Sequence, residues 1–428
     1  MPFTYRAVLL AAAALVLTAP AAAQSGEALA PEAVAAAALE AAPVWDGHND
    51  VPIQLRGRRG NMLEGFDFHD THAEPVSNPG GNPVMQTDLP RLREGRVGAQ
   101  FWSVYVSASL TEPEAVQATI EQIDVTRRLI AAYPDDLKLA LTADEVEAAM
   151  AEGKIASLMG MEGGYSIGSS LAVLRQMYAL GARYMTLTHT ANTPWADSAN
   201  AAPAHDGLTD FGVLVVREMA RIGMLVDLSH VSEATMMDAL DATGAPVIFS
   251  HSGARGVSGH VRNVPDSVLA RIPGNGGIVM VVGYPDFLSE AIRQRAAGRA
   301  AEAARLGSLW QGQPAAVASA LAEWEAANPA PLASVSDMAD HIDHVRRVAG
   351  IDNIGIGGDY DGIPSGPVGM EDVSGYPALF TELARRGYSQ ADLEKIASRN
   401  MMRVLRAAEA YAASQSGTAP LETPVSTS

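Results

Sequence analysis

The stretch VWDGHND, which runs from Val44 to Asp50, reads as a buried strand that ends in a histidine and an aspartate. On extended backbone, side chains two residues apart point the same way, so His48 and Asp50 can face one point in space. A converging imidazole and carboxylate are typical metal ligands. A capped strand end with a solvated aspartate would explain the same residues. The recurrence of such strand ends along the chain favours the metal interpretation.

The composition limits the kind of protein that this chain can be. It has 428 residues, 48% hydrophobic and 18% charged, as in globular proteins that bury a large core. A formal net charge of −19 argues against nucleic acid as a partner. Because the chain contains no cysteine, any metal ligands must be histidines and carboxylates.

The two ends of the chain differ from its middle. Residues 1–23 carry an arginine, a short apolar run and then small residues, the pattern of a secretory signal peptide. The run is too short to favour a membrane anchor, so we expect an exported, soluble protein, periplasmic or secreted. Residues 24–411 are predicted to form one catalytic domain, and the Ser-, Thr- and Ala-rich residues 412–428 a disordered tail.

Strand-like runs alternate with helix-like segments along the chain. The runs begin at Val44 and continue at residues 97–106, 155–161, 184–188, 224–228, 246–250, 277–283 and 354–358. Eight strands separated by amphipathic helices predict an α/β fold, a TIM-like (β/α)₈ barrel in a single domain. An open doubly wound sheet is the alternative. Residues 284–335 are too long for one connection and are predicted to form helical excursions outside the barrel.

In such a barrel, the carboxyl ends of the strands meet at one face. Several ligand-type residues stand just past the predicted strands. They are His48 and Asp50, Glu162, His189, His230, His251, Tyr284 and Asp359. Imidazoles and carboxylates packed together without a metal would leave polar groups unpaired, so this rim predicts a metal site. Nitrogen and oxygen ligands without sulfur suit Zn²⁺, with Mn²⁺, Co²⁺ or Fe²⁺ as substitutes.

The candidate ligands outnumber the needs of one tetrahedral ion, so we predict two ions bridged by a carboxylate. Glu162 is the expected bridge, because no lysine ends a strand. Amide hydrolysis also needs a proton donor for the leaving amine and a positive group for the oxyanion. Asp359 is the candidate acid/base, with Asp361 the alternative as a turn-former. His189 is expected to face the oxyanion, and Arg262 is either a clamp for a substrate carboxylate or a surface arginine.

Five further histidines are predicted to play no part in metal binding. His69 and His72 lie in a long predicted loop and are expected to be solvated. His341 and His344, three residues apart on a predicted helix, are expected to occupy a solvated helix face rather than to form a metal pair. His260 lies in a Gly- and Ser-rich segment and is expected to shape the substrate pocket.

Several short stretches carry a more specific signal. They are DGHND (46–50), QTDLPRL (86–92), QFWS (100–103), EGG (162–164), LTHTANTPWAD (187–197), DLSHV (227–231), VIFSHS (247–252), RNVPD (262–266), GGDYDG (357–362) and EDVS (371–374). In this order they resemble the membrane (renal) dipeptidase family, the M19 metallopeptidases, over roughly residues 40–410.

The resemblance implies a binuclear zinc dipeptidase on a barrel of the metal-dependent hydrolase type, acting through a metal-bridging hydroxide. It implies that His48, Asp50 and Glu162 bind one Zn²⁺, and that Glu162, His230 and His251 bind the other. Family members cleave a range of dipeptides, often with a D-residue at the C-terminal side, and some open β-lactam rings.

The resemblance also implies roles toward the substrate. His189 would contact the scissile carbonyl or the tetrahedral intermediate, Arg262 would hold the substrate carboxylate, and Asp359 would handle the amine and donate its proton. Animal members are lipid-anchored, disulfide-linked dimers. Because this chain has no cysteine and no hydrophobic C-terminal tail, we expect neither the disulfide nor the lipid anchor. The resemblance does not decide whether the chain forms a homodimer. Two rival functions are another binuclear amidohydrolase, such as a deacylase or lactonase, and an exported metal- or peptide-binding protein without catalysis.

Overall fold

A closed parallel barrel organises the chain, and a computed structural model describes it over residues 1–4, 29–74 and 84–423. The strands are β1 (Val44–Asn49), β2 (Val97–Tyr105), β3 (Leu137–Leu139), β4 (Ile155–Glu162), β5 (Ala182–Thr186), β6 (Leu225–Asp227), β7 (Val247–Phe249), β8 (Ile278–Val282) and β9 (Ile354–Gly357). From β4 to β9, each strand pairs with the next, β1 pairs with β9 and β2, and β2 closes the ring on β4. The predicted barrel is confirmed, and the open sheet is wrong. The three residues of β3, which pair with the start of β4 outside the ring, were not predicted.

Helices connect the strands and cover the barrel. They are α1 (Pro31–Ala41), α2 (Val51–Arg59), α3 (Leu89–Glu94), α4 (Glu112–Ala132), α5 (Ala143–Ala151), α6 (Leu171–Leu180), α7 (Asp210–Ile222), α8 (Glu233–Ala242), α9 (Asp266–Leu269), α10 (Ile272–Asn275), α11 (Pro285–Leu288), α12 (Glu290–Leu309), α13 (Pro314–Ala327), α14 (Val335–Ala349), α15 (Tyr376–Arg385), α16 (Gln390–Glu394) and α17 (Asn400–Ser414). Their ends follow local rules. Thr142, Ser170 and Ser232 cap helix N-termini through their side chains, and Gly181 and Gly223 end helices in the left-handed conformation.

The strands bury both of their faces. Trp45, Phe101 and Tyr184 belong to an inner cluster that also takes residues from α5 and α17. Their strand neighbours, such as Val44 and Trp102, belong to the outer cluster between the strands and the surrounding helices. This alternation has the period of two that extended backbone imposes. The barrel interior is therefore filled by side chains, and the site must lie at its mouth.

The excursion over residues 284–335 is helical, as predicted, and consists of α11, α12 and α13. At the C-terminus, α17 continues to Ser414, and the main chain of Leu421 bonds Arg175 and Glu218. The chain is therefore folded beyond residue 412, where the disordered tail was predicted to begin. Most of the predicted signal peptide, and residues 424–428, lie outside the described residues. In the described ranges, no helix combines the length and the apolar character needed to span a membrane.

Candidate metal centre and active site

Glu162, the last residue of β4, lies between two pairs of ligand-type side chains. Its Oε2 is 3.6 Å from Nε2 of His48, which is itself 3.2 Å from Oδ2 of Asp50. Its Oε1 is 3.0 Å from Nε2 of His230 and 3.5 Å from Nε2 of His251. The two oxygens of one carboxylate thus face different pairs of ligands.

His189 and Asp359 complete the group. Nε2 of His189 is 3.8 Å from Oε1 of Glu162. Asp359 offers an oxygen that lies, with donor atoms of His48 and Asp50, in a set of atoms all within 4.8 Å of one another. Residues predicted from strand ends scattered between positions 48 and 359 therefore meet at one place.

A buried carboxylate within β1 fixes this arrangement locally. Oδ1 of Asp46 accepts hydrogen bonds from the backbone N–H of His48 at 3.1 Å and of Gly358 at 2.8 Å. Its Oδ2 accepts from the hydroxyl of Tyr376 at 2.7 Å. Because one side chain bonds the backbone of both His48 and Gly358, it joins β1 to the residues that follow β9, among them Asp359.

Three polar residues at the site have backbones in the left-handed region. They are His230 at φ 68°, Asp359 at φ 64° and Asp361 at φ 66°. Residues other than glycine adopt this conformation at a cost, and such strain is typical of functional sites. Asp361 is buried and exchanges hydrogen bonds with Gln86, whose N–H donates to it at 2.9 Å and whose Oε1 accepts from its N–H at 2.7 Å. Asp361 thus joins this turn to a distant segment of the chain.

Two of the imidazoles are held from behind. Nδ1 of His48 lies 2.8 Å from the hydroxyl of Tyr184. Nδ1 of His251 lies 2.8 Å from Oγ of Ser250, which donates to Oδ2 of Asp227 at 2.7 Å. Partners at Nδ1 turn the Nε2 atoms toward Glu162, the arrangement in which histidines bind metals.

The donor set fits a divalent metal. Nε2 of His48 is buried and has no hydrogen-bond partner among the described residues, although it lies beside two carboxylates. Burial lowers the pKa of His230 and His251 well below its usual value, so both rings are neutral, the form that coordinates metal. Burial opposes ionisation of Glu162, but His48 and His189 outweigh it and hold the pKa of this carboxyl well below its usual range. His230 and His251 thus offer neutral imidazoles beside an ionised carboxylate. For His48, burial opposes protonation, but Tyr184, Glu162 and Asp50 outweigh it and raise the pKa of this ring well above its usual value.

Asp359 differs from Glu162 in its electrostatic surroundings. Burial raises the pKa of the Asp359 carboxyl well above its usual value. His48 and Arg262 act in the opposite direction, while Asp50 and Glu162 add to the rise. The pKa values of two carboxyl groups of the same site are therefore shifted in opposite directions, which is the usual sign of different chemical roles.

Arg262 is buried, with 1% of its surface exposed, so the surface alternative is wrong. Its guanidinium reaches Oγ of Ser252 at 3.5 Å and the carbonyl of His251 at 3.4 Å, and its Nε has no partner in the described part of the chain. Burial lowers its pKa to about 10, which leaves the group charged at neutral pH. A buried cation with such weak partners is costly unless an anion joins it, and a guanidinium suits a carboxylate.

A cavity of about 380 Å³ opens above these residues, near the lower end of the range for small-molecule sites. Its lining adds residues that the sequence analysis did not select. They are Ile53, Gln54, Tyr105, Phe287, Gly362 and Ile363. Tyr105 ends β2 and would have been found by the same strand-end rule. Ile53, Gln54 and Phe287 lie within helices, and nothing in their local pattern marks them.

Two pairs of histidines outside the centre differ in their exposure. His69 and His72 are exposed, as predicted, and His72 pairs with Asp70 at 3.0 Å. By contrast, His341 and His344 are 0% and 6% exposed, so the predicted solvated face is wrong. Residues 253–256 of the loop that follows β7 lie against these two side chains.

Comparisons with known proteins agree with the geometry. Residues 32–418 match the family described as "Membrane dipeptidase (Peptidase family M19)". The chain belongs to this family. It is 42% identical over 385 residues to Dipeptidase 3 of Rattus norvegicus, a match covering 89% of this chain and 68% of the relative.

Two solved structures of similar fold are 24% identical to this M19 chain. The probable dipeptidase PvdM from Pseudomonas aeruginosa superimposes with a TM-score of 0.74, over 89% of this chain and 99% of that one. A metallo peptidase from Rhodobacter sphaeroides, liganded with a phosphinate mimic of the dipeptide L-Ala-D-Ala, superimposes with a TM-score of 0.68, over 86% and 99%. Family membership makes the chain a metallo-dipeptidase, a hydrolase of dipeptides, and decides against the non-catalytic binding protein.

Proposed function

We propose that this M19 dipeptidase is exported and works with two Zn²⁺ ions that share Glu162. His48 and Asp50 would complete one site, and His230 and His251 the other. The observation that carries the proposal is the position of Glu162, whose two oxygens face these two pairs. The all-nitrogen-and-oxygen donor set suits Zn²⁺, with Mn²⁺, Co²⁺ or Fe²⁺ as substitutes. When bound there, the ions activate water and polarise the scissile carbonyl.

The residues around the centre would orient the dipeptide. Arg262 offers a buried guanidinium for the C-terminal carboxylate. Asp359 lines the same cavity and would receive the free amine and deliver a proton to the leaving nitrogen. His189, beside Glu162, would donate to the oxygen of the scissile carbonyl as negative charge develops on it. A small cavity with a cation and a carboxylate in its lining explains why dipeptides, with both ends free, would be preferred.

Two finer properties belong to the same proposal. The ligand of the Rhodobacter sphaeroides structure mimics a dipeptide with a D-residue at the C-terminal side, and we expect this chain to accept such dipeptides as well. The residue pattern of positions 1–23 supports export. Expression of the full chain, cell fractionation and N-terminal sequencing of the mature protein test this point; full-length protein in the cytoplasm would contradict it.

The central experiment compares the wild-type chain with Glu162→Gln. We expect wild type to hold about two Zn²⁺ per chain, and Glu162→Gln to hold one or none and to lose kcat by about 1000-fold or more, because a neutral amide bridges two cations poorly. Metal analysis and turnover of L,L- and L,D-dipeptides and of tripeptides provide the readouts. Glu218→Gln is a matched control, since Glu218 is also buried but pairs with Arg175 and Arg221. Undiminished metal content in Glu162→Gln would refute the shared carboxylate.

A further inference from the structure

Phe287 lies against the arginine that faces the substrate. The guanidinium carbon of Arg262 is 5.2 Å from the centre of the Phe287 ring. The rings of Tyr284 and His260 pack on the same phenyl group, with centroids at 4.7 Å and 4.4 Å. Because the direct hydrogen bonds of Arg262 are long, at 3.4–3.5 Å, the position of its guanidinium depends on this aromatic support.

The backbone of α11 around Phe287 is held by two side chains from other elements. Nδ2 of Asn263, the residue after Arg262, donates to the carbonyl of Phe287 at 2.8 Å. Nε2 of His341, on α14, donates to the carbonyl of Leu288 at 2.9 Å. Two successive carbonyls are thus fixed by donors on two different elements.

The same two side chains also hold the loop that follows β7. Nδ1 of His341 accepts from the backbone N–H of Ala254 at 2.8 Å, and Oδ1 of Asn263 accepts from that of Gly253 at 3.1 Å. A side chain at position 253 would not fit, because its Cβ would lie 2.8 Å from Nδ1 of His341. Each residue therefore ties the loop that leads to Arg262 to the helix that carries Phe287.

The hydrogen bonds of His341 require one form of the ring. Since Ala254 donates to Nδ1, the proton resides on Nε2, where it is given to Leu288. Burial lowers the pKa of His341 and His344 adds to this shift, while the carbonyl of Leu288 and the carboxylates of Asp340 and Asp337 act in the opposite direction. The neutral ring thus donates at Nε2 and accepts at Nδ1. Neither asparagine nor glutamine can place a donor and an acceptor at both of these positions.

We propose that His341 and Asn263 form a clamp that positions Phe287 beneath Arg262 and thereby sets the affinity for the substrate's terminal carboxylate. The inference rests on the proposed role of Arg262. Neither clamp residue belongs to the lining of the cavity, so both act as positioning residues through Phe287. The clamp predicts that its loss weakens binding of the carboxylate end while the centre around Glu162 stays intact.

The test measures kcat and KM for Ala-Ala in the zinc-loaded enzyme, together with the competition constant of Ala-Ala amide, which lacks the terminal carboxylate. In His341→Gln, which keeps a donor near Leu288, and His341→Asn, which keeps an acceptor near Ala254, KM for Ala-Ala should rise about tenfold. Metal content, kcat and the competition constant of the amide should stay within about twofold of wild type. Asn263→Ala should raise KM for Ala-Ala to a similar extent. In the double variant His341→Gln/Asn263→Ala, KM should rise by less than the product of the two single increases, because both side chains act on α11.

Controls separate this clamp from general damage and from failure of the proposed function. His344→Gln alters another buried histidine of α14, one that bonds Asp266 rather than α11, and should leave KM unchanged. Arg262→Met should raise KM for Ala-Ala and not the competition constant of the amide. If Arg262→Met raises KM for Ala-Ala selectively and the clamp variants do not, the clamp is refuted. If Arg262→Met itself shows no selective rise in KM, the role of Arg262 toward the carboxylate is refuted. A parallel loss for Ala-Ala and its amide in every folded clamp variant also refutes the clamp.

Discussion

At the scale of single residues, the imidazoles of the centre differ in what lies behind them. His48 has the phenol of Tyr184 at its Nδ1, whereas His251 has Ser250 and, through it, the carboxylate of Asp227. A partner at Nδ1 fixes the tautomer and the ring orientation, and so tunes the ligand strength of Nε2. The sequence analysis selected the imidazoles but none of these partners.

Removing the phenol oxygen behind His48 should weaken metal binding without touching a ligand. We expect Tyr184→Phe to lower the affinity for Zn²⁺ at one of the two sites by roughly 10- to 100-fold, because Nδ1 of His48 loses its partner. Titration with a competing chelator, followed by metal analysis, measures this. Tyr360→Phe is the control, since the buried hydroxyl of Tyr360 donates to the carbonyl of Met370 at 2.9 Å. Equal zinc affinity in Tyr184→Phe and wild type would contradict the role of Tyr184.

At the scale of elements, a glycine of β4 leaves space for a large side chain of β5. A Cβ on Gly160 of β4 would overlap the ring of Tyr184 on β5. The absence of a side chain on one strand therefore makes room for the phenol on the next, inside a barrel that is otherwise filled. Packing between two strands thus places the group that supports His48.

Gly160→Ala should destabilise the barrel and disturb the centre together. Overpacking typically costs about 1–3 kcal/mol, and the backbone at Gly160 and the ring of Tyr184 have little room to shift. Denaturant unfolding of the metal-free proteins measures the free energy, and zinc titration measures the effect on His48. Gly274→Ala is the control, because a Cβ there meets no described atom within 4 Å. Wild-type stability in Gly160→Ala would show that the ring can move aside.

At the scale of the whole molecule, the candidate ligands join distant parts of the chain. Glu162 ends β4, His48 belongs to β1, and His230 and His251 follow β6 and β7. Ions that bind these side chains only when the barrel is closed stabilise the folded state by mass action. Metal binding at the centre is thus expected to stabilise the folded state as well as to support catalysis.

Removal of the metal should therefore lower the melting temperature. A ligand at about 1000 times its Kd contributes about 4 kcal/mol, which for a domain of this size corresponds to roughly 5 °C for each site. Differential scanning calorimetry before and after chelation, and again after Zn²⁺ is restored, measures the shift. The melting temperature of Glu162→Gln should respond much less to added Zn²⁺ than that of wild type. An unchanged melting temperature after complete metal removal would contradict the expected preference of Zn²⁺ for the folded state.

The strand-end rule predicted most of the centre because it uses only local information. A short apolar run ending in His48, Glu162 or Asp359 can be read from neighbouring residues, and parallel closure then brings all such ends to one face. Tyr105 was missed only because the predicted second strand was extended past it. Gly181 and Gly223, which end α6 and α7, follow from equally local rules.

Other features depend on what folds over a residue from far along the chain. The three-residue spacing of His341 and His344 is the same on a solvated and on a buried helix face. Contacts with the loop after β7, α9 and α11 decide that both are buried. Likewise, nothing near Arg262 distinguishes a surface arginine from a buried one, and Phe287 carries no signal of its position beneath it.

The sequence by itself determined the eight-stranded barrel, the positions of the strand ends and the chemical types gathered there, because periodicity and capping act over a few residues. Only the tertiary structure decided which atoms of Glu162 face which imidazoles, how Arg262 is buried and which side chains support it. Those properties arise from contacts between segments far apart in the chain. Local sequence does not distinguish the alternative arrangements, and the packing of these segments decides between them.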